Sequence, residues 1–329
     1  MKTKRAKTKK KGFVIIVVLA TVMMFTVLLL GFNYKSRLGL RAADDFKKSK
    51  LALNCARAGL NIAIAAVKST DDVFANKDLL TLFSPEHSFS LDEGSCSVTI
   101  TEENGKLNVN LLRDKNNRLD RTNIDHLLRL IDLLNQKQSA QSRIAYGIVP
   151  SIIDWTDSDD QVTLLPFIKN ENQGAESDYY QKLTAPYKCS NTPLKTTEEL
   201  LLIKDLTPDV FQNMSGYLTV YGDGKININS APKLVIESLS QKLDCALAQM
   251  IIDRRKIKPF DSVAELQDVP GLTDSIYSEI QNKLTIAPQD AYYQFTSKGN
   301  VNHISRTILA ILKKNTSSKI IEVLLYKEL

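Results

Sequence analysis

The sequence predicts an α+β protein: one long N-terminal helix packed on an antiparallel sheet, with a large all-α insertion. Three observations predict it. No proline occurs between Met1 and Phe83, and helix formers run through that stretch. Apolar and polar residues alternate at Ser95–Thr101 and Lys106–Leu111, and strand-like runs return after Tyr292. Between these β-like stretches lies a helical block, which an insertion inside an α+β domain explains.

The chain of 329 residues opens on a basic leader. Lys2, Lys4, Arg5, Lys7, Lys9, Lys10 and Lys11 precede Gly12, and Phe13 then starts an uncharged apolar run to Asn33. A glycine, a phenylalanine and a membrane-length run, in that order, read as a processing junction and an anchor. Residues 1–12 are thus expected to be a cleaved leader and 13–33 the transmembrane half of the helix. Removing the leader's seven charges takes the chain from +6 to −1, so the basic balance belongs to the leader. Positive residues hold the leader in the cytoplasm and send everything after Asn33 across the membrane. A secretory signal would have a shorter apolar run and a small-x-small cleavage site. An uncleaved anchor is the other alternative, and the Gly12-Phe13 junction argues against it.

The helical pattern continues past the apolar run. Leu38, Ala42, Phe46, Leu53, Ala56, Leu60, Ile64 and Val67 recur at spacings that fit one helix face. One helix of about 55 residues would span about 80 Å. Its second half and the first strands occupy residues 34–113, with Asn104-Gly105 as the turn of an antiparallel hairpin.

Residues 114–287 read as the inserted helical domain. Arg121 to Leu134 is a helix with Thr122 or Asn123 as cap, and Ile144 to Trp155 is a second apolar piece. A polar loop, Asp157 to Lys188, precedes a helical Thr196–Ile203. Two short strands, Leu218–Tyr221 and Lys225–Asn229, flank Gly222-Asp223-Gly224. Pro232 to Leu284 is helical, broken at Pro259 and at Pro270-Gly271. Residues 288–329 return to strands at Tyr292–Phe295, Ser305–Lys313 and Lys319–Tyr326, completing the sheet.

Nothing in the chain forms a catalytic constellation, so no enzyme is expected. His87, His126 and His303 make no metal-like pair, and GxSxG, P-loop and HExxH patterns are absent. Cys55, Cys96, Cys189 and Cys245 lack CxxC spacing, which speaks against zinc or redox motifs. They read equally as free thiols or as up to two disulfides with three connectivities. Asp154, Asp157, Asp159 and Asp160 lie within seven residues, and Glu176 stands at the far end of the loop. Carboxylates this dense repel unless a cation is present, and hard oxygens at alternating positions suit Ca²⁺, although the spacing is not that of an EF-hand. A solvated acidic loop is the competing reading.

Lys225 to Leu284 resembles paired helix-hairpin-helix motifs of DNA-binding competence proteins. The first hairpin, Ser240-Gln241-Lys242-Leu243-Asp244, lacks a glycine; the second has Gly271 but Thr273-Asp274 where another is usual. Seven basic residues against eight acidic ones from Ala231 to Ile286 leave no positive field for a phosphate backbone.

Taken in order, the motifs resemble the protein K family of type II secretion systems, large minor pseudopilins. They are Gly12-Phe13 with its apolar run, Gly105-Lys-Leu-Asn-Val-Asn110, and Ile153-Asp-Trp-Thr-Asp-Ser-Asp159. Gly174-Ala-Glu176 with Tyr180, Ala185-Pro-Tyr187, Asn191-Thr-Pro-Leu194 and Glu199-Leu200 follow, then Lys225-Ile-Asn-Ile-Asn-Ser-Ala-Pro232 and Pro270-Gly271. The resemblance implies a pilin-like fold with a SAM- or helix-hairpin-helix-like insertion. It implies prepilin-peptidase cleavage between Gly12 and Phe13 with N-methylation of Phe13. It also implies Ca²⁺ held among Asp154, Asp157, Asp159, Asp160 and Glu176. Most pilins carry a glutamate as the fifth residue after the cut; here that residue is Val17, as in this family, which implies a subunit used once, at the tip. Expected partners are other minor pseudopilins, docked through Leu53, Leu60 and Ile64, with prepilin peptidase, the inner-membrane secretion platform and membrane lipid. No nucleic acid is expected. The expected place is the bacterial inner membrane, single-pass, with the N-terminus cytoplasmic and the C-terminal domain periplasmic. The alternative function is a membrane-anchored, competence-type DNA receptor.

Overall fold

The computed structural model describes residues 8–70, 73–74, 76–136 and 143–329. Of the leader, residues 1–7 lie outside the described residues. Helix α1 (Thr8–Ser69) is a single unbroken rod, longer than the sequence pattern suggests because it also takes in the end of the leader. Residues 12–47 are exposed throughout, and burial begins only at Lys48. The rest of the chain therefore leaves the apolar run bare. By length and composition α1 is long and apolar enough to cross a membrane.

The second half of α1 lies on a sheet of five antiparallel strands. After a short α2 (Lys77–Leu82) come β1 (Phe89–Leu91) and β2 (Gly94–Glu102). The insertion adds β3 (Leu107–Asn108), α3 (Arg121–Asn135), α4 (Ile148–Thr156), α5 (Ser177–Tyr180) and α6 (Pro208–Met214). It continues through β4 (Leu218–Thr219), β5 (Ile226–Asn227), α7 (Lys233–Ser238), α8 (Cys245–Ile257), α9 (Asp274–Ile280) and β6 (Leu284–Thr285). The chain then closes with β7 (Asp290–Val301), β8 (Ile304–Asn315) and β9 (Ile321–Glu328), and the sheet order is β1-β2-β7-β8-β9.

The stripe on α1 explains its own position. Leu53, Ala56, Leu60, Ala63 and Val67 pack on Val98, Ile100, Tyr293, Phe295, Ile308 and Leu312. Strict alternation along β7 sends every second residue, Ala291 to Val301, to this face. This corrects the assembly reading: Leu53 and Leu60 are buried and Ile64 is half-buried in the chain's own core, so they are not free to meet a partner. A helix stripe read from sequence says that something covers it, not what.

A second correction concerns Asn104-Gly105. These residues do not turn an antiparallel hairpin. Glu103–Gly105 forms a buried 3-10 turn, and β3 pairs in parallel with β4 inside the insertion. In this part of the chain the hairpin is β1–β2, across Asp92-Glu93. The buried neighbours decide it: a side chain at Gly105 would strike Ser230 Oγ at 2.7 Å and Ala231 N at 2.9 Å. Residues 103–113 thus belong with the insertion rather than with the sheet. The short strands either side of Gly222-Asp223-Gly224 likewise do not pair with each other, since β5 pairs with β6.

The insertion leaves β2 and rejoins β7, which are neighbours in the sheet. Asparagines clamp the junction. Asn104 donates to Asp290 O (3.1 Å) and accepts from Tyr292 N (2.7 Å). Asn227 donates to buried Glu102 Oε2 (2.8 Å), and Tyr221 stacks on Tyr292. Asn108 and Asn110 hold the backbone of residues 194 and 220–222 in the same way. The interior of the insertion is one continuous apolar core, filled by α3, α4, α7 and α8. Asp120, not Thr122 or Asn123, caps α3, accepting from Asn123 N at 3.0 Å.

Candidate metal centre

Helix α4 is buried almost all round, and its C-terminal turn brings Asp154 and Asp157 to one face. The polar loop that follows returns on itself through a bridge between Leu164 and Gln173. Thr163 N donates to Asp154 Oδ1 (2.8 Å), and Thr163 O accepts from Gly174 N (3.1 Å). Those two bonds set Gly174-Ala175-Glu176 against α4. A side chain at Gly174 would lie 2.6 Å from Pro150 O and 2.8 Å from Asp154 Cγ, so only glycine allows this approach.

The outcome is a cluster of three carboxylates. One oxygen each from Asp154, Asp157 and Glu176 lies within 4.8 Å of the others, and all three residues are buried. Arg113 faces the cluster: its Nη2 donates to Asp157 Oδ2 at 2.6 Å and to Thr163 Oγ1 at 3.1 Å. Asp154 Oδ2 and both oxygens of Glu176 are buried and have no hydrogen-bond partner. Burial raises the pKa of Asp154 and of Asp157. Glu176 is pushed up to about 7, first by burial and then by the charges of Asp154 and Asp157. Buried anions without partners are costly, and a hard cation at their centre removes the cost. The donor set therefore fits Ca²⁺.

The five acidic residues expected here separate. Asp159 Oδ1 accepts from Gln161 N (2.9 Å), which ties it to its own turn. Asp160 is exposed and accepts from Ser177 Oγ (3.1 Å) and Asn191 Nδ2 (3.2 Å). Neither joins the cluster. Asn191, which the acid pattern did not flag, closes the loop by donating to Asp159 O (2.9 Å), and its own Oδ1 is buried without a partner. Its φ of +47 suits an asparagine. Cys189 is buried alongside, its thiol donating to Asp154 O at 3.5 Å and pushed up to about 12 by burial.

The hairpin-like segment shows why it lacks a positive field. Lys242 pairs with Glu279, Arg254 with Glu265, Lys256 with Asp253, Lys258 with Asp261 and Lys283 with Asp120. Arg255 is turned inward and donates to Ile228 O at 2.5 Å.

A bare apolar half-helix continuing onto an antiparallel sheet defines a membrane-anchored, pilin-like class of protein. Two family models, both described as type II secretion system protein K, match residues 105–223 and 226–287, together more than half of the chain. The chain belongs to the type II secretion system protein K family. Type II secretion system protein K of Aeromonas hydrophila is 22% identical over 145 residues, 43% of this chain and 42% of that protein. The match thus spans less than half the length of that relative. A crystal structure of the GspK-GspI-GspJ complex from the enterotoxigenic Escherichia coli type 2 secretion system shares the fold. Its TM-score is 0.66 at 18% identity, covering 88% of this chain and 98% of that one.

Proposed function

We propose that this chain is a minor pseudopilin at the tip of the type II secretion pseudopilus, where it assists export of folded proteins across the outer membrane. The observation that carries the reading is the combination, in one chain, of a bare anchor half of α1 and a bulky head set between β2 and β7. A head of this size suits the end of a filament rather than its repeat. Val17 adds support, because it lies in the bare stretch and offers no carboxylate to the terminal amine of a further subunit. Prepilin peptidase cuts between Gly12 and Phe13, and the inner-membrane platform and surrounding lipid hold the helix. The head faces the periplasm and the short N-terminus the cytoplasm. Other minor pseudopilins are the partners, in line with the complex named for the Escherichia coli neighbour.

Because the Leu53–Leu60 stripe is used internally, partners meet α1 higher up, where Leu38, Leu40 and Phe46 are exposed. A Ca²⁺ ion held by Asp154, Asp157 and Glu176 fixes the polar loop onto α4. The experiment is co-expression of the full chain with the other minor pseudopilins of its own secretion system, followed by affinity purification from detergent. A complex with those subunits is expected. Their absence from the purified material overturns the reading. Salt-sensitive, submicromolar binding of duplex DNA by anisotropy would revive the receptor alternative, which the ion-paired surface of the hairpin segment disfavours.

A further inference from the structure

We propose that Cys55 and Cys96 form a disulfide that fastens α1 to β2. The two thiols belong to one small buried cluster with Ala52 and Val301, where the helix approaches the sheet closely. Three glycines make that approach. A side chain at Gly299 would strike the backbone of Ala52 and Ala56, and one at Gly59 would lie 3.0 Å from Cys96 Sγ. One at Gly94 would lie 3.1 Å from Cys55 Sγ.

The sheet register brings the pair together. Gly299 stands directly opposite Cys96 in the β2–β7 ladder, and a Cβ on Gly299 would lie 3.0 Å from Cys55 Cβ. Directly opposed residues in such a ladder hold their Cβ atoms about 4.5 to 5.5 Å apart. Cys55 therefore lies across this seam from Cys96 in the same buried cluster, and an S–S bond closes once α1 settles so as to bring their Cβ atoms to about 3.5–4.5 Å. The other two cysteines have no such neighbour: Cys189 is buried beside the carboxylate cluster, and Cys245 is exposed at the start of α8. All four thiols are free in this structure, and Cys55 with Cys96 is the pairing that shares a buried cluster.

Both thiols are buried in the folded chain, so the bond forms while α1 docks. The step is thiol–disulfide exchange with a disulfide oxidant, either a low-molecular-weight disulfide or an oxidised dithiol protein. One thiolate attacks the oxidant, releasing one thiol. The second protein thiolate then displaces the other half, releasing a second thiol, so two protein thiols become one S–S bond as one disulfide is reduced to two thiols.

The test uses the full chain, reduced and unfolded in urea, then refolded into detergent with a reduced and oxidised glutathione pair. Free thiols are trapped with acid and counted by mass after maleimide labelling. Two labels are expected, together with a disulfide-linked peptide pair containing Cys55 and Cys96 that disappears on reduction. In Cys55→Ser and Cys96→Ser the count should rise to three, because each change releases the other thiol. Four labels on the refolded wild type, or a peptide pair that includes Cys189 or Cys245, overturns the proposal. The folded double variant Cys55→Ala plus Cys96→Ala keeps only Cys189 and Cys245 and should carry two labels; none would place a bridge between those two and overturn the proposal.

Discussion

Gly174 presses its backbone against the side chain of Asp154, so closely that a methyl group there would lie 2.8 Å from the carboxyl carbon. The loop that ends at Gly174 is consequently what completes the carboxylate cluster, since Glu176 follows two residues later. Gly174→Ala should push the loop off α4 at a cost of about 2 kcal/mol, within the usual range for overpacking. Calcium should then raise the melting temperature less than in the wild type. Calorimetric titration with Ca²⁺ and melts in EGTA measure both. A variant that binds and melts like the wild type would show that the loop reaches its place some other way. Gly216→Ala, which meets nothing within 4 Å, serves as the control.

The ionisation of Glu176 makes a pH prediction for chelated protein. In the unfolded chain it releases its proton near 4.5, whereas in the fold it keeps it up to about 7. Across that window the folded form binds more protons, so stability falls as pH rises. Asp154 and Asp157 shift upward too and act in the same direction. His126, lowered by burial, acts oppositely below its ordinary value, so the comparison must be with a variant. Glu176→Gln should flatten the fall in melting temperature between pH 5 and 7.5 in EGTA. Calcium should reverse that fall in the wild type alone. Parallel pH profiles for the two proteins would contradict the shift.

Lys314 is buried on β8, and its ammonium donates to Val67 O (2.8 Å) and to Thr70 O at the end of α1. It gathers carbonyls that the last turn of a helix leaves without partners. Lys314→Met keeps the stem and removes the donor, and should cost about 2 kcal/mol in denaturant unfolding. Hydrogen exchange should rise first at the C-terminal turn of α1. An unchanged midpoint would mean that water satisfies those carbonyls equally well.

Docking on α1 is predicted to involve its exposed segment above the sheet. Phe46→Glu and Leu38→Glu should each reduce co-purification of other minor pseudopilins several-fold while leaving the melting temperature unchanged. Leu60→Glu, by contrast, should unfold the head, because Leu60 lies in the helix–sheet core. Full recovery of partners with both surface variants would move the interface elsewhere.

Processing is the last expectation. Mass analysis of membrane-extracted protein from cells with active prepilin peptidase should find a chain starting at N-methylated Phe13. Gly12→Ala should be cut nearly as well, and Gly12→Glu should remain uncut. An intact Met1 in the first case would refute the leader reading.

The sequence made some of this legible. The proline-free stretch and its apolar spacing marked α1, and the density of acids marked the end of α4. What it left hidden depended on contacts between distant residues. Asn104-Gly105 has the composition of a tight hairpin turn, yet Ser230 and Ala231, more than a hundred residues on, press on Gly105 and fold it otherwise. Five carboxylates looked equivalent along the chain. The Leu164–Gln173 bridge and Arg113 separate the three that converge from the two that do not. The asparagines at 108, 110 and 227 looked like ordinary strand residues, because their work is to bind groups that arrive from elsewhere in the chain.

The junction between sheet and head has one more implication. Glu102 ends β2 and Asp290 begins β7, and these strands run side by side with Glu102 opposite Tyr293. Without residues 103–289 the two strands would be a plain hairpin needing only a short turn. The head is therefore topologically an insertion at one hairpin connection of a smaller five-stranded module. Such a layout means that a length change inside the head need not alter the register of the five strands, nor with it the seat of the anchoring helix.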